Sequence, residues 1–213
     1  MKVTLLKTTA VILAMGALAA CQTTKEAEMM PPSKPMPPAA MPAPFKVGDQ
    51  VTGMSVKDGS KRTRKIVRVG DNTYTSRSTD ASDTCETTKR ADMGFFLFVE
   101  WKDCRFGSGT RTISNMTGSL WPLEVGKKIS FDVSGVRTGG RTWNLRDTCE
   151  VKAQTRLKLP YGEDDVYKIV CTDRLHRLTS YFSPKMDVFV KTHFVRTDNG
   201  RVLANGELVS TTK

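Results

Sequence analysis

The sequence predicts an all-β protein, an antiparallel half-barrel or sandwich, and two observations lead to that class. Short segments rich in β-branched and aromatic residues recur along the chain, and turns that contain Gly, Asp or Asn separate them. No segment shows convincing helical periodicity, and the one short helix that the pattern admits falls between Thr79 and Asp92. The predicted strands therefore carry the fold.

The strand signals begin at residue 50. Gln50 to Val56 and Lys61 to Val69 predict a hairpin, because Asp58-Gly59 between them supplies the positive φ angles of a tight turn. The run from Gly94 to Trp101 is apolar on both faces and predicts a central buried strand. Further strands are expected at 73–78, 129–133, 166–171, 188–195 and 202–209.

The first twenty residues predict an export signal. Lys2 and Lys7 precede an apolar stretch that is too short to cross a bilayer as a helix, since that takes about twenty residues. Leu18-Ala19-Ala20-Cys21 resembles the lipobox of bacterial lipoproteins. The resemblance implies cleavage of signal peptide 1–20 and a diacylglyceride on Cys21, usually with acylation of the new amino terminus. The alternative is an ordinary secretory signal.

The segment that follows, 21–44, is expected to be a disordered tether. It carries many prolines, which favour extended conformations over helix and sheet. Fully extended, it would span on the order of 70 Å. Its methionines could also bind Cu(I), although we expect a plain spacer and no cofactor. Gln22 stands where an Asp would retain an enterobacterial lipoprotein at the inner membrane, so the resemblance favours the outer membrane. We expect the domain on the periplasmic side of that membrane.

The rest of the chain, 45–213, is expected to form one β-rich domain with two pseudo-repeats, 45–120 and 121–213. Val47-Gly48-Asp49 recurs as Val125-Gly126-Lys127, and Asp83-Thr84-Cys85-Glu86 recurs as Asp147-Thr148-Cys149-Glu150. Four cysteines in an oxidising compartment allow three disulfide connectivities. The repeat selects Cys85–Cys104 and Cys149–Cys171, one in each unit, unless the similarity is accidental.

The second half also resembles a group of uncharacterised periplasmic β-domains. The residues that carry the resemblance are Trp121-Pro122 before Val125-Gly126-Lys127, Pro160-Tyr161-Gly162, and Tyr181-Phe182-Ser183-Pro184. The resemblance covers about ninety residues. It implies a curved antiparallel sheet or half-barrel, and it brings no catalytic residues.

The excess positive charge lies on the predicted domain. The formal net charge is +11; removal of Lys2 and Lys7 leaves +9, and the charges of 21–44 cancel. Six basic residues fall within twelve positions of the first hairpin: Lys57, Lys61, Arg62, Arg64, Lys65 and Arg68. Charge on both faces of a strand predicts an edge or a projecting hairpin. These residues could bind an anionic glycan or lipid, or could simply protect an edge against aggregation.

Catalytic and metal chemistry are not expected. The chain has no G-x-S-x-G motif, His176 and His193 are isolated, and no calcium-loop spacing is present. Nucleic acid is not expected as a partner in this compartment. The sequence favours a non-catalytic structural or adaptor role in the envelope, with a partner protein or an anionic polymer. The alternative is a carrier of a lipid or other apolar ligand, in a cavity lined by Phe95, Phe96, Leu97, Phe98, Trp101, Trp121 and Trp143. The alternative interpretation is that those side chains form the core of the domain.

Overall fold

The computed structural model describes residues 29–213. The predicted signal peptide 1–20, the lipidation site Cys21 and the first residues of the tether lie outside this range. Within it, no helix is long and apolar enough to cross a membrane.

Twelve strands form the described part of the chain. Their bounds are β1 Gln50–Ser55, β2 Lys61–Gly70, β3 Thr73–Ser78, β4 Glu86–Arg90, β5 Glu100–Cys104, β6 Gly107–Gly118, β7 Lys128–Arg137, β8 Arg141–Leu159, β9 Gly162–Thr172, β10 His176–Ser183, β11 Val188–Arg196 and β12 Val202–Thr211. Each strand pairs antiparallel with the strand before it and the strand after it. β12 also pairs with β1, so the sheet closes on itself.

The all-β antiparallel prediction is confirmed, but the half-barrel or sandwich is wrong, because the structure is a closed barrel. Closure depends on the ladder from Val51↔Thr211 to Ser55↔Gly206. These partners are far apart in the chain. An edge strand and a strand paired on both sides can have the same sequence pattern, so the pattern does not predict that β1 and β12 pair. The predicted first hairpin is present as β1 and β2.

The apolar run from Gly94 to Trp101 is buried, but it is not a central strand. Residues 91–99 form an irregular connection between β4 and β5, here called the inner loop, and only the end of the run enters β5. Phe95 and Phe96 are buried among residues of the barrel wall. The short helix that the sequence allows between Thr79 and Asp92 does not form: β4 lies in that region, and the described residues contain no helix.

The inner loop lies inside the barrel. An eight-stranded barrel is just filled by its own side chains, so twelve strands leave room for a further segment. Three wall side chains and Trp121 of the β6–β7 connection donate hydrogen bonds to loop carbonyls: Trp121 Nε1 to Asp92 O (2.7 Å), Ser180 Oγ to Phe95 O (2.7 Å), Lys89 Nζ to Phe96 O (3.2 Å) and Arg111 Nη1 to Phe98 O (2.6 Å). These bonds satisfy carbonyls that burial would otherwise leave unpaired.

The core consists of one large hydrophobic cluster and two smaller ones. Successive residues of β10 contribute to different clusters, Leu178 and Phe182 to the large one and Tyr181 to the second. This division follows from the alternation of side chains along a strand. The third cluster contains Trp101 and the Cys85–Cys104 disulfide, with Trp143 packed against it.

Both predicted disulfides are present, Cys85–Cys104 and Cys149–Cys171. They do not occupy equivalent places: Cys149 faces Cys171 across β8 and β9, whereas Cys85 precedes β4 and is joined to the end of β5. The two disulfides therefore link different strand pairs in the two halves.

The paired Val-Gly turns are alike in detail. Gly48 N donates to Ile66 O and Ile66 N to Asp49 O, and in the second half Gly126 N donates to Val151 O and Val151 N to Lys127 O. Both glycines have positive φ, +104° and +94°. The turns repeat, and duplication of the whole unit stays a prediction.

Residues 29–44, assigned above to the tether, lie against the barrel. Met30 pairs with Arg156 and Ala39 with Leu123 as isolated bridges, and Ala39 is buried. Tyr167 donates its hydroxyl proton to Pro37 O at 2.5 Å. The prolines keep the segment extended, as expected, but its carbonyls and its few N–H groups bond to β8, β9 and the β6–β7 connection. Residues 29–44 are therefore packed against the barrel.

Candidate functional site

A cavity of about 550 Å³ lies at one end of the barrel. Because the strands run up and down in sequence order, the turns after odd-numbered strands share this end. Four of these turns surround the cavity, those between β5 and β6, β7 and β8, β9 and β10, and β11 and β12. We call it the end cavity. Its wall includes Phe96, Leu97, Trp101, Phe106, Arg111, Arg137, Arg141, Trp143, Asp147, Asp173, Arg174, His176, Leu178, Phe194 and Arg196.

Arg111 of β6 lies among aromatic rings in this wall. Its guanidinium carbon is 4.8 Å from the ring centroid of Trp101, 4.9 Å from that of Phe98 and 5.8 Å from that of Trp143. These are distances at which a cation is attracted to the face of a ring. Burial lowers the pKa of Arg111 to about 10, partly offset by Asp147, so the side chain carries its charge at neutral pH. The cavity wall is thus aromatic and positively charged at the same place.

Two glycines position the tryptophans. Trp101 pairs with Gly109 on the neighbouring strand, and Trp143 pairs with Gly135. A Cβ added to Gly109 would lie 2.4 Å from Trp101 Cζ2, and one added to Gly135 would lie 2.1 Å from Trp143 Cζ2. Each ring therefore lies over a backbone that has no side chain, an arrangement that compensates for glycine within a sheet. The two ring centroids are 6.1 Å apart.

The end cavity also contains buried polar groups. Trp101 is 3% exposed, and its Nε1 makes no hydrogen bond within residues 29–213. Asp147 of β8 is 4% exposed. Burial, and then Asp173, raise the pKa of Asp147 to about 7, against the opposing effect of Arg111. Buried polar groups are normally paired, so Trp101 Nε1 is an exception within residues 29–213, whereas Asp147 lines the cavity and can contact a bound molecule.

His176 and Asp173 form a pair in the β9–β10 turn, with His176 Nδ1 3.0 Å from Asp173 Oδ2. The same carboxylate accepts the backbone N–H groups of Leu175 and His176, which fixes the turn. His193 does not line the end cavity. Among the described residues no group of three His, Cys, Asp or Glu side chains could hold a metal ion.

Positive charge dominates the rim. The wall contains five arginines (Arg111, Arg137, Arg141, Arg174 and Arg196) and two aspartates, an excess of three positive charges with histidine neutral. Arg196 pairs with Asp198. No ion pair joins any of the other four arginines to a carboxylate of residues 29–213. An aromatic wall with free guanidinium groups at its mouth suits a molecule with an apolar body and an anionic group.

The structure separates the six basic residues of the first hairpin. β2 has a paired strand on both sides, so the predicted edge or projecting hairpin is wrong. Lys57, Lys61 and Lys65 are exposed, and Arg68 bonds to Thr75 Oγ1 at 3.4 Å. Arg62 is 3.6 Å from Asp83, and Arg64 turns into the barrel. A register shift between Ile66 and Arg68 changes the face on which later side chains lie. The six therefore form no single binding face.

The predicted cavity residues are also divided. Phe96, Leu97, Trp101 and Trp143 line the end cavity, and Phe98 contacts Arg111. Phe95 lies in the core, and Trp121 packs against Phe182 and Phe189.

Sequence reasoning missed Arg111, Asp147, Gly109 and Gly135. Asp147 belongs to the motif Asp147-Thr148-Cys149-Glu150, which indicates a repeat but not a site. The glycines could have been recognised because each lies on a strand close in sequence to a tryptophan.

Comparison with known proteins gives likeness of fold alone. One similar structure is the lipoprotein YmcC of Escherichia coli K12, described as hypothetical, with 7% identity and a TM-score of 0.49 over 80% of this chain and 90% of that one. Another, from Bacteroides fragilis NCTC 9343, is described as exported and YmcC-like in fold, with 10% identity and a TM-score of 0.43 over 82% of this chain and 100% of that one. At such values neither assigns a function. No protein-family profile and no curated protein sequence matches the chain.

We predict that Gly135→Ala destabilises the barrel through Trp143. The new methyl group would overlap the ring, and overpacking of this kind costs about 1–3 kcal/mol in the free energy of unfolding. Urea unfolding followed by tryptophan fluorescence measures the loss. Gly53→Ala is the matched control, because its Cβ meets only Glu207 O at an ordinary 3.6 Å. Equal effects of the two substitutions would refute the packing role.

We also predict a pH-dependent contribution of Asp147 to stability. The folded protein holds the Asp147 proton up to pH about 7, whereas the unfolded chain releases it near pH 4. Folding therefore becomes less favourable as pH rises from about 4 to about 7. Asp147→Asn should remove this trend and raise the free energy of unfolding at pH 8. Asp132→Asn is the control. It should lower the free energy of unfolding at pH 8, because hydrogen bonds from Asn115 and Arg146 lower the pKa of Asp132 and so stabilise its charged form in the folded protein. A variant Asp147→Asn that keeps the wild-type pH profile would contradict the assignment.

Proposed function

We propose that this protein is a lipid-anchored envelope lipoprotein whose barrel is a non-catalytic carrier of an amphipathic molecule with an anionic group. The observation that carries the proposal is the end cavity, with its aromatic wall and its unpaired polar groups. The sequence alone favours an adaptor, with the carrier as alternative. The structure reverses that preference, because the basic hairpin is divided and the barrel contains a cavity.

The size and chemistry of the cavity support a small-molecule ligand. Its volume of about 550 Å³ lies within the range of about 300–1,000 Å³ for ligand sites. Trp101, Trp143 and Phe106 offer apolar surface to the body of the ligand. The free arginines at the mouth would bind its anionic group, since guanidinium groups recognise carboxylate and phosphate through paired hydrogen bonds.

Binding without catalysis fits the same wall. It offers no hydroxyl or free thiol as a nucleophile, because Cys171 is held in a disulfide. Asp147 then serves to adjust binding: as its proton leaves near pH 7, a negative charge appears beside the anionic ligand and weakens its binding.

A second candidate function rests on the exposed lysines of the first hairpin. Lys57, Lys61 and Lys65 make no ion pair with any described residue, so they are open to an anionic glycan, an anionic lipid or an envelope protein. This adaptor role requires no cavity. It can operate together with the carrier.

The carrier proposal predicts a co-purified or added ligand in the end cavity. Native mass spectrometry of the full chain, extracted from the envelope, should show a bound organic anion. The probe 1-anilinonaphthalene-8-sulfonate, an aromatic anion, should bind one to one with energy transfer from tryptophan. The double substitution Arg141→Glu and Arg174→Glu should lower the affinity for the probe at least about tenfold, since charged hydrogen bonds contribute about 1.5–3 kcal/mol each.

Arg177→Glu provides the control, because Arg177 is exposed in β10 and does not line the cavity. It should leave the affinity within about twofold of wild type. An unliganded mass together with no saturable probe binding would refute the carrier proposal and leave the adaptor role. Equal losses in both variants would show that net charge alone attracts the probe.

The anchor is a separate prediction. Cys21→Ser should abolish incorporation of labelled palmitate and move the protein from the membrane pellet to the soluble fraction, because the thioether and the processing site are lost together. Gln22→Asp should keep the lipid and, under the enterobacterial sorting rule, move the protein from outer to inner membrane. Retention of label in Cys21→Ser would refute lipidation at this residue.

A further inference from the structure

The geometry points to a second binding site, on the opposite side of the inner loop from the end cavity, in which Arg64 and Lys89 hold the anionic headgroup of an aliphatic amphiphile. We call these two residues the cation pair. The cation pair does not line the end cavity, so the site does not depend on the carrier proposal, although the cavity of about 330 Å³ described below shares Phe96, Leu97, Phe106 and Leu178 with the end-cavity wall.

Arg64 of β2 is fixed with part of its guanidinium free. Its Nε donates to Ser76 Oγ at 3.0 Å, and its Nη2 donates to Ser76 O at 2.7 Å, Cys85 O at 3.0 Å and Thr87 Oγ1 at 3.2 Å. Nη1 makes no hydrogen bond to residues 29–213. The fixed part orients the guanidinium inside the barrel, and the free part is available to an acceptor.

Lys89 of β4 makes fewer hydrogen bonds than Arg64 to offset the burial of its charge. Its ammonium group donates one hydrogen bond, to Phe96 O, and forms no ion pair with a carboxylate of residues 29–213. Burial, followed by the charge of Arg64, lowers the pKa of Lys89 to about 8. Both side chains are half-buried, and two like charges near each other in such a place are destabilising unless an anion accompanies them.

The nearby carboxylates do not supply that anion. Asp83 and Glu86 act on Arg64 at longer range, against Arg62. Asp83 pairs with Arg62, and Glu86 pairs with Arg77 on the other side of the sheet. No carboxylate within residues 29–213 forms an ion pair with either member of the cation pair. An external anion is the missing partner.

Two cavities meet at the cation pair. One, of about 330 Å³, lies toward the inner loop, and the other, of about 260 Å³, reaches the opposite end of the barrel. Arg64, Thr87, Lys89, Gly94 and Thr192 line both, so they mark where an anionic group would sit. The hydroxyls of Thr87 and Thr192 add polar contacts there.

The second of these cavities has the wall that an aliphatic chain requires. Apolar side chains line it: Phe45, Val51, Ile66, Tyr74, Val188 and Phe189. Phe45 lies 4.8 Å from Tyr74, centroid to centroid. Three charged residues lie farther along, Asp71, Asp187 and Lys213, and the last two are paired with each other at 2.7 Å. A headgroup at the cation pair with a tail along these rings fits both the charge and the surface.

A purely structural role for Lys89 makes a different prediction. If Lys89 only supports the inner loop through Phe96 O, its replacement destabilises the barrel and no anion depends on it. If it binds an anion, its charge is what matters, and a shape-conserving neutral side chain abolishes binding.

The test is calorimetric titration of the full chain in neutral phosphatidylcholine nanodiscs, with empty nanodiscs as the blank. Octanoate and octyl phosphate should each bind with a stoichiometry of one per cation pair. Lys89→Met should weaken both at least about tenfold, as expected for loss of a charged hydrogen bond. Lys89→Arg should retain binding. Lys65→Met, which removes an exposed lysine of β2, is the matched control for net charge and should bind as wild type does.

The pH dependence separates charge from shape. Octanoate stays ionised from pH 7 to pH 9, whereas Lys89 loses its proton near pH 8, so wild-type affinity should fall about tenfold over this range. The Lys89→Arg variant stays charged and should show no such fall. Unchanged octanoate affinity in Lys89→Met, or equal loss in Lys65→Met, would overturn the proposal.

Inorganic phosphate and the end-cavity variant complete the experiment. If inorganic phosphate binds as tightly as octyl phosphate, the alkyl chain contributes nothing. That result would refute an amphiphile as the ligand and indicate a site for free anions. Binding of octanoate that survives the Arg141→Glu and Arg174→Glu substitution places it at the cation pair. Loss in that variant alone assigns it to the end cavity and overturns the second site.

Discussion

The hydrogen bonds that wall side chains and Trp121 donate to the carbonyls of the inner loop are the interactions on which the rest of the barrel depends. Twelve strands enclose more space than their own side chains fill. The loop fills part of that space only because Trp121, Ser180, Lys89 and Arg111 satisfy its backbone. Without these donors its carbonyls would be buried unpaired, and burial of the phenylalanines would not offset that cost.

The same bonds explain why the cavities lie where they do. Arg111 and Lys89 hold the loop with one N–H group each and present their remaining charge to the spaces on either side of it. The loop thus divides the interior into an aromatic cavity at one end and a cationic one toward the other. A ligand that draws either side chain away acts directly on the position of the loop. Under both binding proposals, ligand binding would therefore be coupled to the internal packing of the barrel.

Features that depend on residues close together in the chain can be predicted from the sequence. Features that depend on residues far apart in the chain cannot. The Asp58-Gly59 turn fixes the first hairpin, and the spacing of similar motifs fixes both disulfides. Closure between β1 and β12 has no local signature. The run around Phe95 reads as a buried strand because burial by a surrounding barrel and burial within a sheet select the same side chains. Arg64 reads as a surface residue because its partners, carbonyls and hydroxyls, come from β3, β4 and the segment between them.

The ladder between β1 and β12 also governs how the chain reaches this state. Every other pairing joins strands that are consecutive in the chain and can form as soon as both are present. The last pairing must wait for residues 202–211, and until then β1 keeps an unpaired edge that can pair with other chains. Non-local closure is slow relative to hairpin formation. The period of greatest risk of misassembly is thus set by the arrival of the final strand, and exposed charge on the nearby β2 is well placed to discourage association during that wait.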